Sequence, residues 1–255
     1  MKKLENKVAL ITGAASGLGK SIATLFASEG AKIVAADINE TSLNNLKNEI
    51  LDQDGVITTV VADMSKAADI DHMIDVSIAT YRTIDILVNN AGIMDDFSPA
   101  GDVSDHTWER VMAINTTGPL KAMRKLIPMF LQKKAGVIIN IASIGGLYGA
   151  RAGVAYTASK HALIGITKNT GYIYAKSGIR CNAIAPGAME TNIATGIDFA
   201  HISPLVNDRV MPGMVLNPRS SDPVEVARVA LFLASDDASF VNGAVITADG
   251  GWTAY

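Results

Sequence analysis

Short runs that are apolar along their whole length alternate with longer stretches whose apolar residues recur at helical spacing. The runs are Lys7–Thr12, Lys32–Ala36, Val56–Val61, Ile84–Val88, Gly136–Ala142, Ile179–Ile184 and Ala244–Thr247. Helical stretches are expected over Leu18–Ser28, Thr41–Leu51, Asp69–Tyr81, about Ser104–Lys133, Val154–Lys176 and Pro223–Leu233. Strands with no polar face, separated by helices, predict a parallel sheet covered on both sides. The reading is one doubly wound α/β domain over residues 1–255, with a seven-stranded sheet. Pro119 and Pro128 are expected to bend or interrupt the long Ser104–Lys133 helix. The one long irregular region, Ala188–Ser220, reads as a lid or binding loop.

Composition agrees with a folded chain. Of 255 residues, 49% are hydrophobic and 18% charged, which excludes a disordered protein. The formal net charge of -3 argues against generic attraction to nucleic acid or an anionic membrane. The lone Cys181 forms no intrachain disulfide, and His72, His106, His161 and His201 lack ligand spacing, so no metal is expected. No segment reaches the length of a membrane span. The apolar run at Val8–Ile11 is too short for a signal-peptide core. A cytoplasmic setting is the default expectation.

The turn Thr12-Gly13-Ala14-Ala15-Ser16-Gly17-Leu18-Gly19 lies between the first strand and first helix. Glycines there allow a tight turn and let backbone N–H groups at a helix start face a diphosphate. The spacing is G-x-x-x-G-x-G, and a glycine turn without a ligand shows the same pattern. It lacks the Lys and Ser/Thr of a P-loop. Asp37 ends the second strand, where a carboxylate can accept the ribose hydroxyls of an adenosine. No Arg or Lys stands at Ser16 or Ile38 to hold a 2′-phosphate, so NAD is favoured over NADP. A helix-capping Asp before Asn39 is the other reading. Asp63 would touch the adenine edge, or serves as an ordinary loop residue.

Tyr156 and Lys160 stand four apart on one helix, and so share a face. An ammonium about 5 Å from a phenol, at an effective dielectric near 20, is worth roughly 3 kcal/mol, enough to bring the phenol down about two pH units. Ser143 lies at the carboxyl end of the fifth strand, where open parallel sheets place their ligands. Its hydroxyl would hold a substrate oxygen beside the phenol. Taken singly, a Tyr-x-x-x-Lys pair is an ordinary surface pair; the ordered set is more specific.

These residues, with Asn89-Asn90-Ala91-Gly92, Asn115, Tyr156-Thr-Ala-Ser-Lys160 and Pro186-Gly187, resemble the short-chain dehydrogenase/reductase superfamily from Lys7 to about Gly251. The resemblance implies a Rossmann fold, a nicotinamide cofactor and hydride transfer between a secondary alcohol and a ketone. It implies Tyr156 as general acid/base, Lys160 on the nicotinamide ribose, Ser143 on the reacting oxygen, and Asn115 holding a water of the proton relay. The implied dinucleotide contacts are Gly13, Ser16, Gly17, Leu18, Gly19, Asp37, Ile38, Asp63, Met64, Asn90, Ala91, Gly92, Tyr156, Lys160, Pro186, Gly187, Met189 and Thr191. A homotetramer is implied as well, with Gly171 either allowing close approach of a neighbour's helix or tolerated by accident.

Apolar residues of the lid (Ile193, Ile197, Phe199, Ile202, Leu205, Val206, Val210, Met211, Met214) suit a hydrophobic or small neutral substrate, or simply pack the lid on the domain. Met94, Tyr148 and Arg151 flank the cleft as candidate specificity residues. An alternative within the class is a 3-oxoacyl-[acyl-carrier-protein] reductase, with Lys133, Lys134 and Lys176 meeting an acidic carrier, or else standing as solvated helix ends. A non-catalytic NAD-binding regulator is the alternative from another class.

Overall fold

The structure is a computed structural model that describes residues 2–195, 197 and 202–255. Phe199 and His201 lie outside the described residues. Seven parallel strands form one sheet: β1 (Val8–Thr12), β2 (Lys32–Asp37), β3 (Val56–Val61), β4 (Ile86–Asn89), β5 (Gly136–Ile141), β6 (Ile179–Pro186) and β7 (Val245–Ala248). Their order is β3-β2-β1-β4-β5-β6-β7. This is the doubly wound Rossmann arrangement expected from the apolar runs. Strand order reverses between β1 and β4, which opens a crevice at the carboxyl ends of the central strands.

Helices α1 (Gly17–Ser28), α2 (Glu40–Leu51), α3 (Ala67–Tyr81), α4 (Asp105–Met112), α5 (Gly118–Lys133), α6 (Val154–Tyr174), α7 (Pro204–Arg209), α8 (Met211–Met214) and α9 (Pro223–Ala234) follow in chain order. Strand alternation explains why β1 is apolar throughout. Ala9 and Ile11 pack with Ile22 and Phe26 of α1 and Val226 of α9. Val8 and Leu10 pack on the other face with Ile74 of α3 and Leu126 and Phe130 of α5. Each fully buried Leu, Ile or Phe contributes about 1.5–3 kcal/mol, so both faces hold the sheet.

The long helix expected over Ser104–Lys133 runs without a gap from Asp105 to Lys133, and neither proline interrupts it. Pro119 falls in the first turn of α5 and Pro128 stays inside that helix. A proline in the first turn removes an N–H that has no helical partner anyway. Between α4 and α5 the winding loosens into a five-residue π turn, Ala113–Thr117, which carries Asn115. The 188–220 region also holds more structure than expected: α7, α8 and a 3-10 turn at Asn192–Ala194.

Gly171 answers to an intrachain contact. A methyl there would stand 2.7 Å from the Gly243 Cα. The loop before β7 therefore lies against α6, and the glycine is neither accidental nor in need of a neighbouring subunit. No helix among the described residues is long and apolar enough to cross a membrane.

Candidate active site

The glycine turn after β1 is shaped by backbone contact. Gly13 and Gly17 hold φ of +64° and +49°, the left-handed region that favours glycine. A methyl at Gly19 would lie 2.0 Å from the Gly13 carbonyl oxygen. Ser16 precedes α1, makes no side-chain cap bond, and the first turn carries no acidic residue. The helix start is thus open to an anion. Asp37 Oδ2 accepts from the Ala15 N–H and Oδ1 from the Asn39 N–H, both at 3.0 Å. The cap of α2 is Asn39, whose side chain accepts from the Ser42 N–H, so Asp37 is not the capping residue; its carboxylate braces the glycine turn through Ala15. Ile38 beside it is exposed. These residues fit a dinucleotide: the start of α1 carries neither a side-chain cap bond nor an acidic residue, which leaves its N–H groups for a diphosphate.

Asn90 braces the same turn. Its amide donates to the Thr12 and Gly13 carbonyls, each at 2.9 Å. The Thr12 hydroxyl accepts from the N–H groups of Asn90 and Ala91 at 3.1 Å. Asn89 donates to Asn140, which donates to Thr167, tying β4 to β5 and α6.

Ser143 stands two residues beyond Ile141, the end of β5, and its Oγ accepts from the Gly145 N–H at 3.0 Å. A methyl at Gly145 would lie 3.5 Å from that Oγ and 3.4 Å from Tyr156 Cε1. A methyl at Gly92 would lie 3.3 Å from both Asn115 Oδ1 and Lys160 Nζ. Four side chains from three segments thus converge at the carboxyl end of β5: Ser143 after the strand, Asn115 on the π turn, and Tyr156 and Lys160 on α6. The Asn115 amide donates to the Ile93 carbonyl at 2.9 Å and to Ser159 Oγ at 3.1 Å, while Oδ1 accepts from the Ile93 N–H at 2.9 Å. Both amide hydrogens are committed, and one Oδ1 lone pair remains for a water.

The electrostatics differ from the simple expectation. Burial pushes the Tyr156 phenol up to about 12, against a hydrogen bond with Ser143 that lowers it, and the charge of Asp95 raises it further. Burial also brings Lys160 down to about 8. The attraction of the ammonium, expected from the four-residue spacing, is outweighed by the loss of water around both groups.

Asp95 was not singled out from the sequence. It is buried and bonded to backbone N–H groups at the start of α6. Its only sequence signal is an acidic pair, Asp95-Asp96, soon after Asn89-Asn90-Ala91-Gly92. Nothing there shows that one of the two is buried.

Other expected residues divide. Gly187 packs on Asp249, which a methyl would strike at 2.8 Å. Met189 bridges to Ser221, and the Thr191 methyl stands 3.1 Å from the place a side chain at Gly17 would take. The start of the 188–220 segment therefore reaches the glycine turn. Asp63 is engaged locally: Oδ1 accepts from the Ser65 N–H and hydroxyl. Desolvation opposes it, yet those bonds and Lys66 hold the carboxyl below its ordinary range. Met64 is buried, and its carbonyl lies against Gly118.

Among the apolar lid residues, Ile197, Ile202, Val206, Val210 and Met211 pack with Phe97 and Met94. Tyr148 and Arg151 meet the carboxyl-terminal residues. Tyr148 donates to the Thr253 carbonyl at 3.3 Å, and the Arg151 guanidinium lies 5.0 Å from the centre of the Trp252 ring. Lys133 is bound to Asp85, Thr83 and the Ile84 carbonyl, which leaves it a poor anchor for a carrier.

Comparison with known proteins bears on this geometry. The profile of the enoyl-(acyl carrier protein) reductase family matches residues 13–253. The chain is 44% identical to 3beta-hydroxysteroid dehydrogenase 2 of Eggerthella lenta, over 99% of this chain and 96% of that one. It is 38% identical to the 3-oxoacyl-[acyl-carrier-protein] reductase of Thermotoga maritima, over 98% of each. A solved protein from Beutenbergia cavernae with NADP bound at low occupancy superposes with a TM-score of 0.87, at 33% identity over 99% of both chains.

Proposed function

Since the chain belongs to the short-chain dehydrogenase/reductase superfamily, an enzyme family that works with NAD(P), we propose that it interconverts a secondary alcohol and a ketone with NAD(H), using Tyr156 as general acid/base. The convergence of Ser143, Tyr156, Lys160 and Asn115 beside the glycine turn carries this reading. The Gly13–Gly19 turn and the start of α1 would hold the diphosphate, Asp37 the adenosine ribose, and Met189 and Thr191 the carboxamide end. When bound, the dinucleotide supplies the hydride acceptor or donor at its nicotinamide.

The protein's own groups manage the proton and the geometry. Ser143 holds the reacting oxygen beside the phenol. In reduction, Tyr156 gives its proton to the substrate oxygen; in oxidation it takes the hydroxyl proton. Lys160 sets its ammonium behind the ring, where it stabilises the phenolate as the proton leaves. Fixing both reactants in one crevice is the larger part of what the fold contributes.

The substrate class is an apolar secondary alcohol, in line with the hydroxysteroid dehydrogenase relative and with Met94 and Phe97 under an apolar lid. Exposed Tyr172 and Ile173 near the end of α6 suit a homotetramer. A second reading, reduction of 3-oxoacyl thioesters on a carrier protein, is favoured by the Thermotoga maritima relative; the engaged Lys133 counts against it.

A screen of alcohols, hydroxysteroids, ketones and acyl-pantetheine thioesters, followed by NADH absorbance, tests the proposal. Turnover of a secondary alcohol or ketone that falls at least about a hundredfold in Tyr156→Phe is the expected result. Unchanged turnover in that variant overturns it. Turnover confined to thioesters selects the second reading.

A further inference from the structure

Resting on that reading of the site, we infer that Asp95 is a positioning residue, which holds the first turn of α6 from outside the helix and so aims the Tyr156 phenol at Ser143 and the reacting oxygen. Asp95 is 3% exposed. Its Oδ1 accepts from the Gly153 N–H at 2.9 Å and the Phe97 N–H at 3.2 Å, and its Oδ2 accepts from the Tyr156 N–H at 2.8 Å.

Helix α6 has no cap of its own. Gly153 stands at the cap position without a side chain, and the first turn holds no acidic residue. A helix start needs acceptors for its first N–H groups and gains from nearby negative charge. Asp95 supplies both across 61 residues of sequence. The fit is close: a methyl at Gly153 would lie 2.6 Å from Asp95 Oδ2. Glycine here makes room for the carboxylate.

The same loop grips the other catalytic segments. Ile93, two residues earlier, holds the Asn115 amide through both its N–H and its carbonyl. Ser98, three residues later, accepts from the Val154 N–H at 3.0 Å. The stretch 93–98 therefore sets the π turn and the head of α6 at a fixed distance. Burial raises the Asp95 carboxyl above its ordinary range, against the three N–H bonds that lower it, and neighbouring Asp96 adds to the rise. The fold keeps this charge at a net cost, a pattern typical of sites where geometry serves function.

The charged groups around the phenol are Lys160 on α6 and, on the loop after β4, Asp95 with Asp96 behind it. The segment after β5 brings Ser143 and the π turn brings Asn115, neither of which titrates. Of these, the Asp95 charge disfavours the phenolate.

The test compares Asp95→Asn, Gly153→Ala and Tyr156→Phe with the wild type in steady-state kinetics across pH, with the melting temperature of each. In Asp95→Asn one N–H donor faces an amide hydrogen. We expect kcat to fall about tenfold, cofactor KM to hold, and the phenol ionisation in the kcat profile to move to lower pH. Gly153→Ala keeps the charge and displaces it, so kcat should fall with the ionisation in place or higher. Wild-type kcat and pH profile in a folded Asp95→Asn overturn the inference. So does a loss of kcat in that variant with an unmoved profile. If Asp95→Asn does not fold, Gly153→Ala decides, and wild-type kcat there overturns the proposal. Retained turnover in Tyr156→Phe would instead remove the site assignment itself, independently of Asp95.

Discussion

Lys160 donates to the Ile141 carbonyl at 2.8 Å and stands 5.6 Å from the centre of the Tyr156 ring. The ammonium is thus anchored to the last residue of β5, the strand that also presents Ser143. One strand end sets both the position of the positive charge and that of the hydroxyl. Helix α6 then needs only to place Tyr156 between them.

Burial of Lys160 has a measurable pH signature. Its folded value is about 8 against an ordinary 10.5. Between those limits the unfolded chain binds a proton that the folded chain does not, so stability rises with pH through that window. Below pH 8 the penalty is complete, on the order of 3 kcal/mol. Denaturation of the wild type and Lys160→Met without added dinucleotide, from pH 7 to pH 10.5, should show the wild type gaining on the variant. Parallel curves would show that Lys160 is not desolvated as described.

Asp37 bears on the choice of cofactor. Its carboxylate is held by Ala15 and Asn39, with no arginine or lysine at Ser16 or Ile38. Calorimetry should find NAD(H) bound more tightly than NADP(H), and Asp37→Ala should narrow that preference about tenfold or more, as loss of a hydrogen bond to a charged group does. Tighter binding of NADP(H) by the wild type would refute the assignment of NAD.

Gly171→Ala sets two effects against each other. Alanine improves helix propensity by about 1 kcal/mol. The added methyl would stand 2.7 Å from both the Cα and N of Gly243 and 2.9 Å from Asn242 Oδ1, and overpacking of this kind costs about 1–3 kcal/mol. The melting temperature should therefore fall. A rise would mean that the loop before β7 yields easily.

Asn115→Leu should destabilise the chain as well as slow it. The Ile93 N–H and carbonyl and the Ser159 hydroxyl all lose a partner beside a fully buried side chain. Each unsatisfied buried group costs about 1–3 kcal/mol. Urea denaturation should show a clear drop in midpoint; an unchanged midpoint would mean that water replaces the amide without loss.

The sheet was legible because burial on both faces leaves a one-dimensional trace. Val8–Ile11 and Ile138–Ile139 are apolar at consecutive positions only because helices cover both sides. The glycine turn, Ser143, Tyr156 and Lys160 were legible because each is defined by spacing to near neighbours. Other features depend on contacts that no local window contains. Asp95 meets Gly153 and Tyr156 across 58 and 61 residues, and Asn115 meets Ile93 across 22. The apolar lid residues read equally as a substrate surface or as packing for the lid, and it took the fold to show that several of them cluster with Phe97 and Met94.

The amino-acid order by itself determined the alternation of strand and helix, the glycine turn and the tyrosine–lysine pair, since these follow from periodicity and steric rules along a few residues. Only the folded chain decided which carboxylate is buried, where the α4–α5 run takes its π turn, and which way the phenol and the ammonium shift. Those properties come from the loss of water and from partners brought together across the whole sequence, and desolvation is a property of a place in space.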